Sequence, residues 1–541
     1  MNGSTVRPGA VPFVQRRAAL RKPRRVLCVF PRYEPSFGTF DYSYPLLGVK
    51  AFMPPQGILT IVAYLPPNWQ VRFIDENVRR ARAADFAWAE AVFVSGMHIQ
   101  RRQMQDIARR AHEASRPVAL GGPSVSASPD WYPEFDYLHI GELGDATDEL
   151  VAALDASCAR PATQIRFETN ERVPLDEFPI PAYDKIDVGD YFIGSIQFSS
   201  GCPYRCEFCD IPELYGRNPR LKSPEHVVAE LDAIVKNGGK RAIYFVDDNF
   251  VGNRKATKEL LPHLVEWQKK HGFPVMLNCE ATLNIAKSPD LLALMREAYF
   301  GTIFCGIETP DPEALRAMSK DQNLHVPIMD AIATVNSFGM EIVSGIIMGL
   351  DSDTPQTADH ILDFIETAQI PLLTINLLQA LPRTPLYRRL EQEGRLVDDP
   401  SRESNVAFRM PYDEVVGMWR RVFTTAYAPE AIYRRFAYQL EHVFPKRIKP
   451  PNSAARVNAA NITMGIRLLA NIIVRVGILS NYRALFWKTA RPLLRRGDLE
   501  SLLHIAFVSH HLIRFAREAQ RGSANASFYS AKLREAVAQP G

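Results

Sequence analysis

Cysteine is scarce in this chain, with seven in 541 residues. So sparse and odd a set excludes the dense disulfide framework of a small secreted domain. Residues 1–24 are rich in Arg and Pro but lack the apolar centre of a secretory signal, and they read as a disordered basic lead-in. There is no uninterrupted run of about eighteen apolar residues, so no transmembrane helix is expected. Excess charge is small too: a net +4 does not by itself point to nucleic acid, and no RNA-binding module or basic–aromatic motif is evident. Reduced thiols without an export signal make the cytoplasm the expected compartment. What is present is a globular composition, 46% hydrophobic and 23% charged, at a length that calls for several domains.

Three of the seven cysteines sit together, in Ser200-Gly201-Cys202-Pro203-Tyr204-Arg205-Cys206-Glu207-Phe208-Cys209-Asp210. A structural zinc site wants four protein ligands, commonly in paired sets. No second pair exists, and the nearest histidine, His226, is not spaced as a partner. Iron–sulfur cubanes usually have four thiolates. Three would leave one iron open, and an open metal position is where a metal site does chemistry.

From Arg25 to about Leu154, short apolar runs alternate with helix-like segments. Val26–Phe30, Val71–Asp75, Ala91–Ser95, Pro117–Leu120 and Tyr137–Ile140 read as strands, the first continuously apolar as a buried parallel strand must be. Gly57–Leu65 reads as a helix stopped by Pro66 and Pro67. Gln103–Ala114 reads as another, with Met104, Ile107, Ala108 and Ala111 on one stripe. The alternation predicts a doubly wound α/β domain over 25–154. Gly96, Gly121, Gly122 and Gly141, the last followed by Glu142, fall at strand ends. Such sheets bind ligands there, and glycine admits a bulky group close to backbone. Each glycine alone is an ordinary turn residue.

Residues 155–190, with Pro174, Pro179 and Pro181, read as a partly extended linker. A second β/α alternation occupies 191–395. Strands are expected at Ile196–Ser199, which delivers the cysteine loop, and at Ala242–Val246, Val275–Asn278, Thr302–Cys305, Ile342–Met348 and Leu372–Leu378. Asp247, Asp248, Glu280, Glu308 and Gly349 fall after these strands, and Gly345 lies within one. Polar residues in such places mark the active face of a β/α barrel; acids there also cap helices or pair with Lys and Arg. Cys279 and Cys305 read as packed thiols. Over 396–541 the pattern gives way to helices. Between 442 and 521 there are 14 Lys and Arg against 3 Asp and Glu, interleaved with apolar residues such as Ile466, Leu468, Ile472 and Trp487. That composition suits a helical domain packed on the barrel, and equally an anionic membrane surface or a greasy substrate.

The cysteine triplet, with Phe208 before its last member, resembles the signature of the radical S-adenosylmethionine (SAM) enzymes. The resemblance implies that Cys202, Cys206 and Cys209 hold a [4Fe–4S] cluster whose open iron takes the amino and carboxylate groups of SAM. An electron from the cluster then cleaves SAM to a 5′-deoxyadenosyl radical. It implies SAM contacts from Phe208, Asp247, Asp248, Glu308, Gly345 and Gly349, and no catalytic side chain beyond the cofactor ligands. Residues 25–154 resemble the cobalamin-binding domain found ahead of many radical SAM modules, which implies cobalamin beside Gly96, Gly121, Gly122, Gly141 and Glu142. One departure matters. Many such domains carry a histidine after the first strand that ligates cobalt from below, yet the loop 31–55 has none. Cobalamin without that ligand is expected, with His98 a loop residue.

Nearly the whole chain, Arg25 to Ser530, resembles the hopanoid C-2 methyltransferase group. The likeness lies in Phe30-Pro31-Arg32-Tyr33, Phe52-Met53-Pro54-Pro55-Gln56-Gly57, Asp75-Glu76-Asn77 and Tyr215-Gly216-Arg217-Asn218-Pro219-Arg220, and in the helical C-terminal part. It implies methylation of ring A of a pentacyclic triterpenoid at C-2, with the methyl group drawn from methylcobalamin and a second SAM remethylating cobalt. It also implies a hydrophobic triterpenoid substrate, an electron donor such as flavodoxin or ferredoxin, peripheral contact with the inner face of the membrane, and no nucleic acid. Three alternatives stay open at this stage. They are action on another lipid or a tetrapyrrole, a non-catalytic cluster or cobalamin sensor, and a tRNA-modifying methylthiotransferase. The last would bring an RNA-binding domain and further cluster cysteines, neither of which is evident.

Overall fold

Strand β1 (Arg25–Phe30) buries five consecutive residues, Val26 to Phe30, and a strand buried on both faces belongs inside a covered parallel sheet. The computed structural model, which describes residues 22–239, 242–399, 401–451 and 459–524, places it there. β2 (Gln70–Asp75), β3 (Ala91–Ser95), β4 (Val118–Gly121), β5 (Tyr137–Ile140) and β6 (Ile165–Glu168) complete a six-stranded sheet in the order β2-β1-β3-β4-β5-β6. Every pairing is parallel. The expected stripe of Met104, Ile107, Ala108 and Ala111 is fully buried on helix Arg101–Glu113, against Leu27, Val29, Val92, Val94 and Leu120. The basic lead-in lies outside the described residues as far as residue 21.

The chain forms two compact units, and their limits differ from the expected domains. The first joins the chain up to Arg32 with Pro55–Ile186; the second joins Tyr33–Pro54 with the chain from Asp187 onward. Residues 155–190, expected as a linker, supply the edge strand β6, which pairs with β5 from Tyr137↔Ile165 to Ile140↔Glu168. Tyr33–Pro54, expected within the first domain, packs in the second unit. Ala51 bridges Tyr191, Ser43 Oγ donates to Phe507 O at 2.6 Å, and Ser195 Oγ donates to Pro54 O at 2.8 Å. The physical reason is aromatic. Phe37 meets Phe515 edge-on at 4.7 Å and Phe40 stacks on Phe507 at 5.1 Å, so the rings that complement this segment lie far along the sequence.

The second unit is built on six parallel strands. These are β7 (Gly194–Ile196), β10 (Ala242–Phe245), β11 (Met276–Glu280), β12 (Phe300–Glu308), β13 (Glu341–Met348) and β14 (Leu373–Leu377), ordered β14-β13-β12-β11-β10-β7. Strand order follows chain order, as in an open, partial β/α barrel with helices between strands. The strand expected at Ile196–Ser199 divides: β7 stays in the sheet, while β8 (Ser199–Ser200) turns out to pair antiparallel with β9 (Arg220–Leu221). Beyond the barrel lie helices Tyr412–Ala426, Pro429–His442, Ala459–Ile472, Arg483–Arg496 and Leu499–Gln520. One stretch among them, Asn461–Ile478, is long and apolar enough to cross a membrane by length and composition. Arg467, Asn471 and Arg475 interrupt its apolar run without making the helix polar on average.

Candidate active site

The cysteine loop leaves β8 and is held from beneath by two carboxylates that follow β10. Asp247 accepts the N–H of Phe198 at 3.2 Å and also that of Ser199, while Asp248 accepts the N–H of Gly201 at 2.6 Å. Asp247 is 1% exposed. Burial pushes its carboxyl up to about 7, against the lowering effect of the Ser199 and Phe198 donors. A Cβ on Gly201 would sit 2.8 Å from the carbonyl oxygen of Gly216, and Cys202 donates its N–H to that same oxygen at 3.2 Å. Asp247, expected to contact SAM, is bonded to this backbone and shapes the loop.

The three thiols are near neighbours. Burial raises Cys202, and the charge of Cys206 adds to the effect; burial raises Cys209 well above the ordinary thiol range, with Cys206 and Cys202 adding further. Gln322 Nε2 lies 3.2 Å from Cys206 Sγ and donates to it. Among the described residues, no three His, Cys, Asp or Glu side chains converge as ligands of a single ion. Three neighbouring thiols on one loop are a donor set that fits the irons of a cluster.

Beside the loop stands a buried ion pair. Lys320 Nζ, on a side chain 8% exposed, donates to Glu308 Oε1 on a side chain 10% exposed. Burial acts to lower the Lys320 ammonium, but Glu308 and the charges of Cys206 and Cys209 outweigh it, and the net direction is up. Glu308 ends β12 with φ +68°, a left-handed conformation rare for a residue with a Cβ. Two glycines make room for its carboxylate: a Cβ on Gly306 would fall 2.3 Å from Oε1, and one on Gly345 would fall 3.4 Å from Oε2. Phe208 presents its ring 5.4 Å from Lys320 Nζ, a cation–π distance. With Glu207, Met318, Leu350, Leu386 and Arg389 it lines a cavity of about 240 Å³.

Gly345 therefore borders Glu308. Gly349 has φ +89°, and a Cβ there would fall 2.5 Å from the Phe408 ring; its N–H donates to Asp353 at 2.7 Å. Lys320, Gln322 and Glu280 are absent from the expected site. Burial, with the charge of Asp248, pushes Glu280 up to about 7, and Tyr244 donates to it at 3.3 Å. Glu280 carried a signal as a strand-end acid. Lys320 and Gln322 carried none, since they lie at and within the single turn Asp321–Leu324, too short to show periodicity.

In the first unit the expected glycines do gather at the ends of β3, β4 and β5. Their close neighbours, however, are the chain's own atoms. A Cβ would meet Met104 Sδ at 2.8 Å from Gly96, Ser95 Oγ at 2.7 Å from Gly122, Thr169 Cβ at 2.9 Å from Gly141, and His139 Cβ at 3.8 Å from Gly121. Gly122 (φ +98°) begins the short helix Pro123–Ala127, and Gly141 donates its N–H to Ser126 Oγ at 2.9 Å. Glu142 pairs with Arg172 at 2.9 Å. His98 Nδ1 shares a 2.8 Å hydrogen bond with Ser124 Oγ, and burial lowers its imidazole to about 4.

Residues 196–365 match the radical SAM superfamily, residues 46–151 a B12 binding domain, and residues 384–525 a domain of unknown function, DUF4070. In overall fold the chain resembles the solved structure of OxsB, a cobalamin-dependent SAM radical enzyme with aqua-cobalamin and SAM bound. The TM-score is 0.59 at 14% identity, covering 96% of this chain and 82% of that one. It also resembles TsrM from Kitasatospora setae, with cobalamin and a [4Fe–4S] cluster bound: TM-score 0.55 at 17% identity, over 92% and 100% of the two chains. The thiol loop and the two matched domains together define a cobalamin-dependent radical SAM methyltransferase, whose cofactors are a [4Fe–4S] cluster, SAM and cobalamin. An uncharacterized methyltransferase of Synechocystis sp. is 34% identical over 90% of each chain. The hopanoid C-2 methylase of Rhodopseudomonas palustris (strain TIE-1) is 62% identical over 515 residues, which is 95% of this chain and 98% of that protein. The chain belongs to the hopanoid C-2 methylase family.

Proposed function

We propose that this chain places a methyl group on C-2 of ring A of a hopanoid, and that the observation carrying this reading is its likeness to a hopanoid C-2 methylase along nearly its full length. When bound, the cluster, SAM and cobalamin supply hydrogen abstraction from an unactivated carbon and delivery of a methyl group, steps that no side-chain acid or base achieves at a C–H bond of such low acidity. The chain's own residues hold and orient. Cys202, Cys206 and Cys209 are the cluster ligands, and Gln322 donates to one of their sulfurs. Asp247 and Asp248 fix the loop that carries them. Phe208, Asp247, Asp248, the Glu308–Lys320 pair, Gly345 and Gly349 border the place of SAM. Gly96, Gly121, Gly122, Gly141 and Glu142 edge the cobalamin face of the first sheet, and no histidine of the loop 31–55 is available as a lower cobalt ligand. A low-potential donor such as flavodoxin or ferredoxin supplies electrons, and the protein works on the cytoplasmic face of the membrane, in peripheral contact with it.

The test is anaerobic reconstitution with iron, sulfide and cobalamin, followed by incubation with methyl-labelled SAM, a reductant and a desmethyl hopanoid. A hopanoid heavier by one labelled methyl on ring A is expected, and none from a Cys206→Ala protein. Consumption of SAM with no methylated hopanoid would move the substrate to another lipid or a tetrapyrrole. No 5′-deoxyadenosine at all would make the protein a sensor.

A further inference from the structure

The C-terminal helices carry an apolar face that the described residues leave open. Helix Ala459–Ile472 runs on into a π-helical segment, Ile473–Ile478, and only 22% of the stretch Asn461–Ile478 is buried. Eleven large apolar residues are exposed among the described residues, and five of them, Ile462, Ile466, Val474, Ile478 and Leu479, lie within positions 462–479. So dense an exposed set is uncommon on a protein that faces water alone.

The pattern has a geometric order. Leu468, Ile472 and Val476 are buried at four-residue steps. That stripe holds the helix along its length against helix Leu499–Gln520 and the short helix Tyr44–Leu47, where Asn471 Nδ2 also reaches Leu46 O at 3.4 Å. The stretch is fastened lengthwise and does not stand free as a spanning rod. Ile462, Ile466, Ala470, Val474 and Ile478 form a second four-residue series that is exposed throughout. In a regular α-helix such a series drifts about 40° per step. The wider π turn, with its i→i+5 bonds, falls short of a full turn in four residues and reverses part of the drift. The apolar series is thereby kept to one side.

Charge completes the picture. From Ala459 to Gly497 the chain has seven basic residues, Arg467, Arg475, Arg483, Lys488, Arg491, Arg495 and Arg496, and no Asp or Glu. All seven are exposed. An apolar series edged by cations is the arrangement of a helix lying in a lipid–water interface, where Arg and Lys extend to headgroup phosphates while the apolar side chains enter the acyl boundary. A second copy of the chain fits poorly, since a symmetric contact would bring two such cationic faces together.

We infer that Ile462–Leu479, with the basic residues of helix Arg483–Arg496, docks in-plane on an anionic phospholipid bilayer. This deepens the membrane contact proposed above and rests on that part of the reading, not on the hopanoid. The test is flotation of the full-length holoprotein with vesicles of phosphatidylcholine alone or mixed with phosphatidylglycerol. Binding is expected with the anionic vesicles and should weaken as salt rises. Ile466→Glu/Leu479→Glu should lower the partition coefficient about tenfold or more, and Arg467→Glu/Arg475→Glu should remove the preference for anionic lipid. Both variants should melt as the parent does and cleave SAM at the parental rate without lipid. Equal flotation of parent and apolar variant would overturn the assignment to this segment. A parent that never floats would overturn membrane contact itself, and a parent dimer that Ile466→Glu/Leu479→Glu converts to monomer would assign the face to a second copy. None of these outcomes depends on whether a hopanoid is the substrate.

Discussion

Replacing Lys320 with Met isolates the charge of Glu308 without changing the length of the side chain greatly. In the parent, the two side chains are about 8% and 10% exposed and hydrogen-bonded. Removing one partner of such a pair strands the other charge, at a cost of about 3–5 kcal/mol. Urea denaturation of the apoprotein should therefore register a destabilisation of about 3–5 kcal/mol at pH 7. The double variant Lys320→Met/Glu308→Gln should recover most of the loss, because the stranded charge is gone. If Lys320→Met costs under about 1 kcal/mol, or the double variant is no more stable than the single, the pair is not the buried charge balance described here.

Gly349→Ala should destabilise by about 2–4 kcal/mol, since its Cβ would meet the Phe408 ring and its φ is left-handed; Phe408→Leu in that background should restore only the steric part, as unfolding midpoints will show. Asp351, bonded by Arg395 and Arg389, is held down at about 2 although burial opposes them. Its contribution is thus complete above about pH 4 and lost as pH falls through 2; Asp351→Asn should cost about 1–2 kcal/mol at pH 7 and nothing once the parent is acidified past that range, by urea titration at each pH. Gln322→Leu should assemble its cluster normally but make it harder to reduce, because a hydrogen bond to a ligand sulfur favours the reduced state; an unchanged midpoint in an EPR-monitored redox titration would remove Gln322 from the cluster's surroundings.

The two sheets were legible because buried parallel strands are unbroken apolar runs and the intervening helices show a 3.6-residue period. The failures have particular causes. β6 exposes Ile165, Arg166 and Glu168, so as an edge strand it leaves no burial pattern to read. Tyr33–Pro54 has little regular structure, and its place is decided by rings more than 450 residues away, such as Phe507 and Phe515. The cysteine spacing revealed the loop, but spacing does not say which carboxylate turns inward. That is settled by the course of the backbone at Phe198 and Ser199, which claims Asp247. Lys320 was invisible for a related reason: a buried lysine is recognised only by its partner, and Glu308 finds it across a loop between elements.

The buried electrostatics give the site a direction. Asp247 and Glu280 are both pushed up to about 7 by burial, Cys202 and Cys209 are pushed up as well, and Glu308 adds a carboxylate held by the Lys320 ammonium. Left to itself such a site disfavours charge on Asp247, Glu280, Cys202 and Cys209, because burial and neighbouring negative groups penalise it. Thiolate ligation requires the opposite state. A metal cluster held by Cys202, Cys206 and Cys209, with a cationic cosubstrate, would bring positive charge to this face and favour the thiolate form. The chain supplies rigidity in return. It does so through a left-handed glutamate that glycines at 306 and 345 accommodate, and a loop anchored by two carboxylates. The strain at Glu308 persists because the surrounding contacts determine its geometry, and that fixed geometry is the protein's contribution to chemistry whose difficult steps belong to the cofactors.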